Sequence, residues 1–163
     1  MNTDNSAAGL GFGDLREGTR YVSAGRTITE TDIQNFAGLS GDFNPLHTDE
    51  EWVRANTPYR GRIAHGLLVL AMSSGMRTPG YDDLDVRAYL SEARDMKAPA
   101  YPGDTITVVN TVSGLRPSTS KPGHGVVTFT VEVTNHRSEV VQRGTDVVLV
   151  GPGATGQRPP PAS

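Results

Sequence analysis

The strongest pattern in the chain is the alternation of apolar and polar positions in its C-terminal half. Val127, Phe129, Val131 and Val133 fall on one side of a strand whose other side carries Thr128, Thr130, Glu132 and Thr134, because successive strand side chains point to opposite faces. Similar, partly alternating runs predict strands over 84–96, 105–115, 126–135 and 140–150. Tyr101-Pro102-Gly103-Asp104 separates the first two, with Pro and Gly at the central positions of a type II turn. A hairpin turn falls at 135–139, and the Ser-, Pro- and Gly-rich segment 116–125 reads as a long mobile loop or hairpin tip. Together these are the strands of an antiparallel sheet.

The N-terminal half has a different period. After a strand over 20–28, Thr29 can cap a helix, Glu30 and Asp32 suit its positive end, and Ile33, Phe36 and Ala37 follow at helical spacing. Gly38 is positioned to stop it. Thr48 and Glu51 have capping-box spacing for a second short helix carrying Trp52 and Val53. From Gly66 the run Leu67-Leu68-Val69-Leu70-Ala71-Met72 is apolar all round, which predicts a buried central helix over 66–77, ahead of Pro79. Helices first and strands later, with one helix too apolar for a surface, point to an α+β domain whose sheet wraps that helix.

Length and composition narrow the reading. The 163 residues suffice for one core, expected over 14–150, between a flexible segment 1–13 and a disordered Pro/Gly-rich tail 151–163. A formal net charge of −3 offers no electrostatic footprint for nucleic acid or an anionic membrane. There are no cysteines, which excludes disulfides, thiolate metal sites and a cysteine nucleophile. No apolar run reaches the roughly 20 residues of a membrane span, and the first residues lack a basic start with an apolar stretch, so the expected location is the cytoplasm. His124 and His136 fall in loop and turn contexts, are expected to be solvated, and suggest no metal site.

The candidate chemistry lies in Ser40-Gly41-Asp42-Phe43-Asn44-Pro45-Leu46-His47. A separation of five does not stack Asp42 and His47 on a helix face, so a loop must bring them together. Pro45 fixes its own φ and biases Asn44 away from the helical region, which stiffens that loop. From spacing alone, the two residues read equally well as turn and cap residues.

The longer stretch from Leu39 to Asp49 resembles the hydratase signature of the MaoC-like dehydratases, the (R)-specific enoyl-CoA hydratases. Arg62-Ile63-Ala64-His65-Gly66-Leu67 and Ala98-Pro99-Ala100-Tyr101-Pro102-Gly103-Asp104 agree in order and spacing, so the resemblance covers roughly residues 15–150. It implies a hot-dog fold, a curled antiparallel sheet around a long central helix. It also implies a homodimer of fatty acyl metabolism acting on thioesters of coenzyme A or a carrier protein, with no cofactor beyond that carrier. By the same resemblance Asp42 and His47 are the catalytic dyad, and the Gly66 N–H binds the thioester oxygen. Ser40, Asn44, Pro45 and His65 are expected to brace the loop. Leu68 and Met72 read as core residues whose side could also line the acyl pocket.

One departure concerns Glu92, Arg94 and Met96, which stand on a face where the family usually carries Gln and bulky apolar residues. Glu92 and Arg94 either face a dimer surface or reshape the acyl pocket toward a polar or unusual substrate. Arg54, Arg60, Arg62, Arg116 and Lys121 could meet the phosphates of coenzyme A or simply be solvated. The implied activity is addition or removal of water across the C2–C3 bond of an acyl thioester. The alternatives are a specialised biosynthetic dehydratase for a carrier-bound or polar acyl chain, a hot-dog thioesterase, and a non-catalytic subunit of a heterodimer.

Overall fold

The computed structural model describes residues 9–153; segments 1–8 and 154–163, which hold most of the expected lead-in and tail, lie outside them. The chain runs β1 (Arg20–Val22), β2 (Arg26–Thr27), α1 (Glu30–Ser40), α2 (Pro45–Thr48), α3 (Glu50–Asn56), α4 (Gly66–Ser74), β3 (Val86–Met96), β4 (Thr105–Pro117), β5 (Gly125–Asn135) and β6 (Val140–Val150). The strands form one antiparallel sheet in the order β1-β4-β5-β6-β3, with β2 also pairing β4. Register shifts interrupt the β3–β6, β4–β5 and β5–β6 ladders, and such bulges sharpen the twist of a sheet. The result is the expected α+β arrangement of a curled sheet around α4.

The alternation read from the sequence sets the core. Val127, Phe129, Val131 and Val133 are buried on the concave face, where they join Ile106, Val108 and Val112 of β4 and Leu68, Val69 and Met72 of α4. Each such side chain contributes about 1.5–3 kcal/mol relative to exposure. Tyr21 and Tyr81 pack edge-on against Phe129 and close one end.

Four local expectations need correction. The strand expected over 20–28 is two short strands, β1 and β2, separated by Ser23, whose hydroxyl accepts from the Val108 N–H. Gly38 does not stop α1; the helix runs to Ser40 and ends on Gly41, whose φ of 75° is the left-handed cap that glycine adopts without strain. Thr48 does not cap α3. Asn44 and Pro45 start a turn of their own that takes in Thr48, so the N-cap moves to Asp49, which accepts from the Trp52 N–H. α4 ends at Ser74, not 77, because Gly75 closes it, and the following turns are held by Asp82 on the Thr78 N–H.

Both edges of the domain are firmer than expected. The Leu10 N–H donates to Asp83, Phe12 donates to Gly151, and Gly151 donates to Asp85. Residues 9–13 and 151–153 therefore strap the start of β3. The segment 116–125 is a hairpin tip, as expected: β4 runs to Pro117, β5 begins at Gly125, and the turn over 118–124 is closed by the Ser118 N–H on the His124 carbonyl.

α4 is not buried all round. Leu68, Val69 and Met72 face the sheet, while Leu67 is 62% exposed. β3 is an edge strand and exposes Val86, Tyr89, Leu90 and Met96. No described helix is long and apolar enough to cross a membrane.

Candidate active site

The end of α1 delivers Asp42. Past the Gly41 cap, the Ser40 hydroxyl donates to the Phe36 carbonyl at 2.7 Å and accepts the Asp42 N–H at 3.2 Å. Asp42 Oδ1 accepts the Asn44 N–H at 3.2 Å, and Asn44 Oδ1 accepts the Leu46 N–H at 3.0 Å, capping α2 with Pro45 in its first turn. That single turn carries His47. Asp42 Oδ2 then lies 3.9 Å from His47 Nε2, too far for a direct hydrogen bond and close enough for one water to touch both.

The protonation of His47 follows from its other nitrogen. Nδ1 lies 2.8 Å from the Ile63 carbonyl, which can only accept, so the neutral ring carries its hydrogen on Nδ1 and presents a lone pair at Nε2. Burial pushes the pKa down and the adjacent His65 adds to that, outweighing the Ile63 bond and Asp42, which pull it up. His47 is therefore an acceptor at neutral pH.

His65 holds the pair from behind. Its Nε2–H donates to the Asp42 carbonyl at 2.9 Å, and its ring stacks on His47 with centroids 3.7 Å apart and planes 25° from parallel. Phe36 covers it at 5.1 Å. Asp42, His47 and His65 offer donor atoms within 4.8 Å of one another, the only such group of three among the described residues. The nitrogens not spent on carbonyls sit on nearly parallel rings, whose in-plane lone pairs run side by side rather than converging, a poor arrangement for a chelated ion.

Beside His47 opens a cavity of about 300 Å³, walled by Tyr59, Gly66, Val69, Met96, Ala98 and Gln142 among others. Its wall is tied together by the Ile63 N–H on the Leu46 carbonyl and the Ala64 N–H on the Ala100 carbonyl. Gly66 opens α4, where no side chain caps the first turn. Helix N-termini present free N–H groups and partial positive charge. A Cβ on Gly66 would lie 2.9 Å from Met96 Sδ, so glycine permits the contact with β3. Gln142 Nε2 donates to the Gly66 carbonyl at 2.7 Å and fixes this turn to β6.

A family model, the MaoC like domain, matches residues 14–136, most of the described chain. The chain belongs to the MaoC-like family. It is 38% identical over 142 residues to an (R)-specific enoyl-CoA hydratase of Rhodospirillum rubrum, covering 85% of this chain and 90% of that one. The crystal structure of a MaoC-like dehydratase from Rhodospirillum rubrum superposes with a TM-score of 0.74 at 30% identity, covering 93% of this chain and all of that one. A Mycobacterium tuberculosis protein described as a double hot-dog fold superposes at 0.77 with 22% identity, over 93% of this chain and 46% of that one, which shows the fold alone. The architecture is the hot-dog.

In this MaoC-like domain His47 and Gly66 line the cavity, and Ser40, Asp42, Asn44, Pro45 and His65 form the hydrogen-bonded and stacked loop that holds His47. Leu68 and Met72 pack in the core, and neither lines the cavity. Glu92 and Arg94 do not line it either. Gly144 lies opposite Arg94 on β6 and has no side chain, so the guanidinium reaches the diagonal neighbour Asp146 at 2.6 Å, with Glu92 at 3.3 Å. Burial raises the pKa of Glu92, and Asp146 directly opposite adds to it against the pull of Arg94.

Of the cations considered for phosphates, Arg54 and Arg62 pair with Glu50 and Arg60 stacks on Tyr101 at 4.1 Å. Lys97, which lines the cavity, was not singled out by any motif, nor were Tyr59 and Gln142. Gln142 arrives through register, opposite Met96 on β3. That pairing was the missing signal.

Proposed function

We propose that this protein is a hydro-lyase that adds water to, or removes it from, the C2–C3 bond of a 2-enoyl or 3-hydroxyacyl thioester, with Asp42 and His47 as its catalytic pair. The observation that carries the reading is the 3.9 Å gap between Asp42 Oδ2 and the lone pair of His47 Nε2 at the wall of an apolar-lined cavity. A water there donates one hydrogen to each and turns its oxygen toward the cavity. Asp42 takes a proton as that oxygen attacks C3, and the coupled pair returns one to C2. Between the two steps the thioester oxygen carries enolate charge, which the Gly66 N–H and the positive end of α4 stabilise. Proton transfers and one oxyanion contact complete the reaction, so no cofactor is needed beyond the thioester carrier, coenzyme A or a carrier protein. The name of the Rhodospirillum rubrum relative, an (R)-specific enoyl-CoA hydratase, supports the reading.

The same reading extends to assembly as a homodimer in the cytoplasm. Support comes from the unpaired outer edge of β3, with Val86, Tyr89, Leu90 and Met96 exposed, and from the apolar outer face of α4 at Leu67. Long apolar edges are what a second strand covers. Hydration of crotonyl-CoA by the purified protein, abolished in Asp42→Asn, tests the activity.

A further inference from the structure

The concave face under α4 holds a second, smaller cavity. The first ends at Val69, Met96 and Gln142, and the second begins at Ser73, Arg94 and Asp146. These are the next inward positions in turn: one helical turn along α4, two residues along β3 and four along β6. Between them Gly144 contributes no side chain, and Met96 is a flexible thioether. The two cavities therefore lie end to end along one strip.

The second cavity is polar although it sits inside the core. Its walls include Tyr81, Tyr89, Thr78, the buried Arg94–Asp146 pair and Asn110. Asn110 is only 5% exposed and lines the cavity. No hydrogen bond from its side-chain amide to another side chain or to backbone is found among the described residues, so the amide is open to a polar group in the cavity. The volume of about 30 Å³ fits one water-sized group. A methyl group placed there would leave these partners unsatisfied. A carboxylate would meet Asp146 and Glu92. A neutral oxygen fits both the size and the chemistry.

We propose that this cavity is the seat for a hydroxyl or keto group at the far end of the acyl chain, so that the preferred substrate is a medium-chain acyl thioester oxygenated at its distal end. The inference rests on the hydratase reading for the placement of the thioester at Gly66. From Gly66 to Ser73 along α4 is about 10 Å at 1.5 Å per residue, which an extended chain of roughly eight carbons spans. Asn110 donates to the distal oxygen and, where that oxygen is a hydroxyl, also accepts from it, and Met96 swings aside as the chain passes.

Calorimetric binding of two unreactive thioesters, octanoyl-CoA and 8-hydroxyoctanoyl-CoA, tests the seat apart from the chemistry. The expected result is a Kd at least about tenfold lower for the hydroxylated thioester, the scale on which a site built for a hydroxyl discriminates against its absence. In Asn110→Leu the ratio falls to about one. Equal or tighter binding of octanoyl-CoA by the wild type, failure to bind either, or a ratio that survives Asn110→Leu overturns the proposal. The wild-type ratio decides even if the variant does not fold. Turnover of crotonyl-CoA, too short to reach Asn110, is scored alongside; its absence counts against the hydratase reading, while the binding ratio still decides the seat.

Discussion

His47 and His65 stack with ring centroids 3.7 Å apart, and each ring gives its hydrogen to a backbone carbonyl, that of Ile63 and that of Asp42. The stack thus ties the imidazole of the pair to the loop that carries the carboxylate. It also makes a charge on His47 costly, since burial and the neighbouring ring both oppose it.

A pH profile reads this directly. His47 accepts only while neutral, and its pKa is lowered, so kcat/KM is expected to hold down through the ordinary histidine range near 6.5 and fall only below it. His65→Gln removes the neighbouring imidazole, and the acid limb then moves to higher pH. An acid limb above 7 in the wild type would contradict the assignment.

Removing either member of the pair should cost chemistry without costing the fold. Asp42→Asn and His47→Ala are each expected to lower kcat at least about a hundredfold, the scale of acid–base help, with circular dichroism unchanged in Asp42→Asn because that side chain is half exposed.

Gly66→Ala tests the oxyanion position. The added Cβ meets the end of the flexible Met96 side chain, so the stability loss should stay near 1 kcal/mol. The crowded acyl site should still lose about tenfold or more in kcat/KM. Parallel thermal melts and kinetics separate the two.

Asp104 is expected to anchor the cavity wall. Its side chain is 2% exposed, and it accepts from Arg137 at 2.8 Å and from the Tyr101 N–H at 3.0 Å. Burial pushes its pKa up, but the Arg137 and Tyr101 hydrogen bonds outweigh that and hold it below the usual range. The stabilisation is therefore present above an unfolded aspartate pKa of about 3.9 and is lost as pH falls through the lower folded value. Asp104→Asn should cost about 2 kcal/mol in urea unfolding at pH 7, with a smaller difference at pH 3.

Much of the fold was legible because it rests on periodicity. Val127 to Val133 announce their inward face by alternation, and the 140–150 strand has the expected bounds. What periodicity cannot supply is competition between neighbouring signals. Thr48 and Asp49 are both good caps, and the turn started by Pro45 decides between them. Asp42 and His47 are visible because only four residues, stiffened by Pro45, join them. Gln142 and Asn110 come from distant strands and Lys97 from just past the end of β3, and only the folded chain shows that Gln142 lies opposite Met96 and meets Gly66. The exposed Leu67 marks the limit of reading an all-apolar helix as buried, since the sheet covers only one face of α4.

The most direct measurement is to incubate the purified protein with crotonyl-CoA and follow both the conjugated enoyl absorbance and free thiol. The expected result is loss of enoyl absorbance with no thiol released, and loss of that activity in Asp42→Asn. Release of free coenzyme A with the double bond intact would make the protein a thioesterase and contradict the role assigned to Asp42 and His47.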